Sequence, residues 1–146
     1  MNYVEIQKLL LKLYYEFKNK INESENALFM AKRTLRDTPK VKGVSYDNVG
    51  GSASRSTKSA YQVKQEQVFA LEDDLRVLRK RFKGIDNDFN IKTKLEELNP
   101  KEQNLIYLHF GLAKTTREMS EMYDCSHVHI KNEIDKAIEK MVEYGI

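Results

Sequence analysis

Ile6, Leu10, Leu13, Phe17, Ile21, Leu28, Ala31 and Leu35 follow one another at spacings of four and three, interrupted only at Ser24. At 3.6 residues per turn these positions line one side of a helix, so the segment reads as an amphipathic helix of about eight turns. The positions between them are mostly Lys, Glu, Asn and Gln, a face that stays in water. Pro39 is expected to mark the helix end, because proline brings no amide donor and disfavours helix before it. A second seam follows at Tyr61, Val68, Leu71, Leu75, Leu78, Phe82, Ile85 and Phe89, interrupted at Lys64. Neither seam can bury its apolar side alone. Two seams of similar length pack as an antiparallel hairpin or pair between two copies, and periodicity leaves both open. Strand-like alternation is absent, so the expected class is all-α.

Between the seams, residues 38–59 carry Gly43, Gly50, Gly51 and a run of Ser, without helical or strand period, and read as a flexible connection. Gly84, followed by Asp86, Asn87, Asp88 and Asn90, is the expected break, since Gly lowers helicity and Asn and Asp compete for backbone bonds. The reading is therefore a helical hairpin over residues 1–90 with a basic loop at 38–59, and a second domain over 91–146. A single cysteine, Cys125, excludes an internal disulfide and a multi-thiolate metal site, which fits a reducing cytoplasm. The first twenty residues repeat charges every few positions, which argues against both a signal peptide and a membrane span.

The C-terminal segment is punctuated by helix signals. Asn99 can cap a helix with Pro100 at its first position, and Glu102 sits in its first turn. Leu105, Ile106, Leu108, His109 and Phe110 are its expected buried side, and Gly111 is expected to end it in a left-handed conformation. Thr115 to Glu118 fits a capping box for a third helix, with Met119, Met122 and Tyr123 as its apolar face. Asp124 and Cys125 make a tight turn, and Ser126 can cap a fourth helix whose buried side is Ile130, Ile134, Ala137, Ile138 and Met141. Helix, short turn and helix are the parts of a DNA-reading helix-turn-helix.

The strings Leu98-Asn-Pro-Lys-Glu102 and Thr115-Thr-Arg-Glu-Met-Ser-Glu-Met-Tyr-Asp-Cys-Ser126 resemble region four of the sigma-seventy class of sigma factors. Ile130 and Lys136 to Met141 resemble its recognition-helix tail, so the resemblance spans roughly residues 95 to 142. Asp124 stands where that pattern has glycine, Cys125 where it has a small apolar residue, and Glu133 at a usually apolar position. With the long helical N-terminal half and the linker Val41 to Ser45, the whole is similar to small sigma-like late-transcription regulators of phages and prophages of the RinA and ArpU type.

The resemblance implies a sequence-specific, DNA-binding transcriptional regulator. His127, Val128, His129, Lys131 and Asn132 would face the major groove, where Asn pairs bidentately with adenine and Lys reaches guanine or phosphate. Ser126, Lys114, Thr115, Thr116 and Arg117 suit phosphate contacts that set register, and Lys136 would follow the backbone at the far end. Double-stranded DNA is the expected partner, and a homodimer through the N-terminal helices would read two half-sites.

Charge complicates this picture. Residues 99–146 hold 6 Lys/Arg against 8 Asp/Glu, whereas residues 1–60 hold 11 against 6. DNA affinity depends on neutralising phosphates, so an acidic reading segment needs help. Lys32, Arg33, Arg36, Lys40, Lys42, Arg55 and Lys58 are candidates to supply it. The alternative is an adaptor that uses the sigma-like module to grip RNA polymerase with little DNA contact.

Chemistry is not expected. His127 and His129 stand two apart on a helix and point to nearly opposite sides, so they cannot chelate one metal ion. Gly50 to Ser59 lacks the glycine before Lys58 and the preceding strand that a phosphate-binding loop requires. Glu72, Asp73 and Asp74 lie on a charged helix surface, and no nucleophile is paired with a base. The expectation is a non-enzyme without cofactor.

Overall fold

The computed structural model describes residues 2–40 and 58–144, and all regular structure among them is helical. Helix α1 spans Tyr3–Arg36 and α2 spans Ala60–Phe89, packed together as a long hairpin. The shorter helices are α3 (Ile91–Glu96), α4 (Pro100–Ile106), α5 (Thr116–Tyr123) and α6 (His127–Tyr144), with a π-helical turn at Tyr107–Gly111 after α4. None of the described helices is long and apolar enough to cross a membrane. Most of the expected linker, with Val41, Lys42 and Arg55, lies outside the described residues. The chain divides into two compact units, residues 21–79 and residues 1–20 with 80–146.

In the unit of residues 21–79 the two seams meet within one chain, the hairpin of the two pairings that the spacing left open. Glu25 pairs with Arg79 at 2.9 Å, Lys32 pairs with Glu72 at 3.5 Å, and Lys64 Nζ donates to Thr38 Oγ1 at 3.0 Å. Partner numbers fall along α2 as they rise along α1, so the helices run antiparallel. Ile21, Val68 and Leu75 are buried at the seam, whereas Leu28, Ala31, Leu35, Leu71 and Leu78 stay half-buried. Two helices alone expose the flanks of their shared seam. The exposed ion pairs add only about 0–1 kcal/mol each.

The other unit holds the larger core, and it corrects the first half of the α1 seam. Leu11, Tyr14 and Tyr15 are buried there, while Ile6 is 39% and Leu13 38% exposed. The side turned inward is shifted from the heptad line because this part of α1 also packs on the C-terminal core, formed by Ile91, Leu98, Leu105, Ile106, Met119, Ile130, Ile138 and Met141 among others. Tyr14 stacks edge-on against Tyr15 at 5.2 Å between ring centroids and lies 4.9 Å from Phe82. Burial holds both phenols neutral, raising Tyr14 and pushing Tyr15 up to about 12.

One expected break falls at the far end of its range, residues 84–90, and another is relocated. Helix α2 runs straight through Gly84 and stops at Asn90, which takes the left-handed conformation (φ 52°) that asparagine tolerates. Asp86 Oδ1 accepts the Lys92 amide at 2.8 Å and helps to close this corner. Gly111 is not the left-handed residue after α4; that residue is Ala113, at φ 55°. The helix first widens into a π turn, with the Leu112 amide bonded to the Tyr107 carbonyl at 3.0 Å and the Lys114 amide to the Leu108 carbonyl at 2.9 Å. Glycine is needed at 111 for room, since a Cβ there would meet Tyr107 Cδ2 at 2.9 Å and Tyr15 Cδ1 at 3.3 Å.

The start of α4 follows the sequence reading. Asn99 Oδ1 accepts the Glu102 amide at 2.8 Å, the Glu102 carboxylate accepts the Asn99 amide at 3.1 Å, and Pro100 opens the helix. Glu102 is only 5% exposed and also receives Lys140 Nζ at 2.8 Å, tying the first turn of α4 to the end of α6.

Candidate nucleic-acid interface

Helix α5 starts on the expected capping box. Thr115 Oγ1 accepts the Glu118 amide at 3.1 Å, and the Glu118 carboxylate reaches back to the Thr115 amide at 3.5 Å. Met119 is fully buried and Tyr123 half-buried, but Met122 is 59% exposed, so the apolar face of α5 is narrower than its spacing suggests. Asp124 ends the helix in the left-handed conformation (φ 53°), standing in for glycine as aspartate can. The Cys125 amide bonds back to the Ser120 carbonyl at 3.1 Å, and the Cys125 side chain packs half-buried against the core. Ser126 Oγ accepts the His129 amide at 3.1 Å and caps α6. Residues 124–126 thus form a three-residue turn between two capped helices.

Helix α6 is strictly two-sided. Ile130, Ile134, Ala137, Ile138 and Met141 are at most 3% exposed. On the opposite side Val128, Asn132 and Lys136, spaced by four, form one exposed row, flanked by exposed His129 and Lys131. His127 and Ser126 are exposed at the helix start, and Thr115 and Arg117 at the start of α5, where Thr116 and Lys114 are half-buried. All eleven expected contact residues therefore reach the surface, and ten of them lie at or near the starts of α5 and α6. Lys136 stands further along α6.

Of the carboxylates paired in this segment, one takes a cation from outside it and two take cations of the segment itself. Asp135 pairs with Lys8 of α1 at 3.3 Å, Glu118 with Lys114 at 3.7 Å and Glu102 with Lys140 at 2.8 Å. Glu133, at the usually apolar position, is half-buried with Oε1 3.9 Å from His129 Nε2, while neighbouring Ile134 supplies the buried contact. No family model, curated protein or solved structure matches the chain.

Lys8 is the residue that sequence reading missed. It lines a cleft of about 330 Å³ with Thr116, Lys131, Asp135, His109 and Phe110, which places a lysine ammonium of α1 beside the start of α5 and the flank of α6. Lys12 borders an adjoining depression with Lys8, Leu9 and Phe110. Nothing local marks Lys8, since it is one of several lysines on the polar side of α1. His109 is held in the cleft by Nδ1, 2.9 Å from the Lys114 carbonyl; a carbonyl only accepts, so that nitrogen carries the proton. Of the basic residues proposed to add charge, Lys32 and Lys58 are engaged with Glu72 and Glu66, and both belong to the unit of residues 21–79.

Proposed function

We propose that the protein is a sequence-specific DNA-binding transcriptional regulator that reads the major groove with α6. The observation that carries this is the two-sided α6, whose exposed row of Val128, Asn132 and Lys136 follows a three-residue turn and backs onto a fully buried face. A rigid helix that offers an amide, a cation and a small apolar group to solvent has the side-chain types that read adenine, guanine or phosphate, and the thymine methyl. Thr115, Thr116 and Arg117 then contact phosphates beside it, and Lys8 adds a cation to the acidic segment. The resemblance to sigma region four, and to phage regulators of the RinA and ArpU type, points the same way and suggests a promoter-proximal site and a cytoplasmic protein.

The experiment is selection of bound duplexes from a random pool by the full-length protein and by Asn132→Ala and Lys131→Ala. The expected result is an enriched motif that both variants lose while general affinity persists. An adaptor that grips RNA polymerase is the second reading, favoured by the 8 acidic against 6 basic residues in 99–146 and by exposed Met122. It predicts no enriched motif and recovery of polymerase from nuclease-treated extract.

A further inference from the structure

A cavity of about 390 Å³ opens in the unit of residues 1–20 and 80–146, lined by Tyr3, Ile6, Gln7, Leu10, Phe89, Lys94 and Val142. Its polar groups are the Tyr3 phenol, on a residue 76% exposed, and the Gln7 and Lys94 side chains, and the last two are chemically mismatched with their surroundings. Gln7 is 3% exposed, and its Nε2 has no acceptor. Its Oε1 receives Lys94 Nζ at 3.4 Å, and Lys94 forms no ion pair among the described residues. The ammonium is half-buried, and desolvation lowers the Lys94 pKa from its ordinary value without a carboxylate to restore it. An amide N–H₂ without an acceptor costs about 1–3 kcal/mol, and a desolvated cation without a counter-ion is also unfavourable. Both groups are donors, and both are relieved by one acceptor carrying negative charge.

We propose that this cavity is a binding site for an amphipathic monocarboxylate, with the carboxylate on Lys94 Nζ and the Gln7 amide and the hydrocarbon tail along Ile6, Leu10, Phe89 and Val142. The volume lies within the roughly 300–1,000 Å³ of small-molecule sites, which are mostly apolar with a few orienting polar groups. Phe89 and Tyr3 remain 43% and 76% exposed at the rim, where a tail would cover them. Val142 stands near the far end of α6 from Ser126, so occupancy can be measured without DNA.

The test is calorimetric titration of the full chain with decanoate, and with decanol as the uncharged control, alongside Lys94→Gln, Lys94→Met and Gln7→Leu. Circular dichroism establishes that each variant keeps its helical signal. Decanoate is expected to bind as one molecule per chain, with decanol and both Lys94 variants at least about tenfold weaker and Gln7→Leu weaker as well. Absence of decanoate binding, equal affinity for decanol, or unchanged affinity in the folded Lys94 variants would overturn the proposal.

Discussion

Exchanging the residue types at positions 111 and 113 separates two accounts of how α4 ends. At Gly111 an added Cβ would stand 2.9 Å from Tyr107 Cδ2 and 3.2 Å from Cε2, with Tyr15 Cδ1 at 3.3 Å. Tyr107 is 45% exposed and can swing aside, but Tyr15 is 5% exposed and locked against Tyr14. The swing gives up the edge contact between Tyr15 and Tyr107, whose centroids lie 5.9 Å apart. Such pairs contribute about 0.5–1.5 kcal/mol and overpacking adds about 1–3 kcal/mol, while loss of glycine's freedom in the unfolded chain returns about 0.4–1 kcal/mol, so Gly111→Ala should cost about 1–3 kcal/mol net. Ala113, at φ 55°, carries the opposite strain. Relief of left-handed strain brings about 1–2 kcal/mol, partly offset by the greater freedom of glycine in the unfolded chain, leaving Ala113→Gly about 0.5–1 kcal/mol more stable. Urea titration followed by circular dichroism measures both, with an unchanged denaturant slope as the check that the end states are the same. In the heat transition each kcal/mol corresponds to about 2–4 °C in a chain of this size. A destabilised Ala113→Gly protein, or a Gly111→Ala protein as stable as the parent, would refute the reasoning, because glycine at 113 can only lose stability if Ala113 is unstrained.

The Glu102 and Lys140 pair predicts an asymmetry: Lys140→Ala leaves a buried carboxylate with a weakened partner set and should cost about 1–3 kcal/mol, and Glu102→Gln, which keeps an acceptor for the Asn99 amide, should cost less. Equal losses in urea titrations of the two variants would contradict this. Tyr14 and Tyr15, with phenol pKa values raised in the folded protein, make a contribution that is complete below pH 10.0 and is lost as pH rises toward about 12. Alkaline unfolding, followed by circular dichroism, should therefore begin in that window, and Tyr15→Phe should delay it. On DNA, Lys136→Gln should weaken all duplexes alike and lower the salt slope by about 0.9, whereas Asn132→Ala should erase sequence preference. Loss of preference in the Lys136 variant would reverse those roles.

Much of the candidate interface was legible because its signals are local. The Asn99 and Ser126 caps and the Thr115 capping box each satisfy an amide three residues away, so residue type and spacing carry the information. The buried row of α6 followed from periodicity alone, and once that row is buried the exposed row is determined by helix geometry. Lys8 was not legible: its pairing with Asp135 spans most of the chain, and a lysine on a polar helix face carries no mark of what lies beside it. Gln7 escaped for a related reason, because a polar residue beside a heptad seam reads as solvated until neighbouring helices cover it.

The sequence by itself determined that the chain is helical, where most helices start, and that two long apolar seams must pair. These follow from hydrogen bonds and side-chain spacings within one or two turns. Tertiary structure alone decided which side of α1 faces inward at Leu11 and Tyr15, why position 111 favours glycine, and that Ala113 rather than Gly111 bears the left-handed strain. In each case surfaces distant in sequence compete for the same space. The fold follows whichever arrangement buries the most apolar area at the least local strain, a comparison that no short window of residues contains.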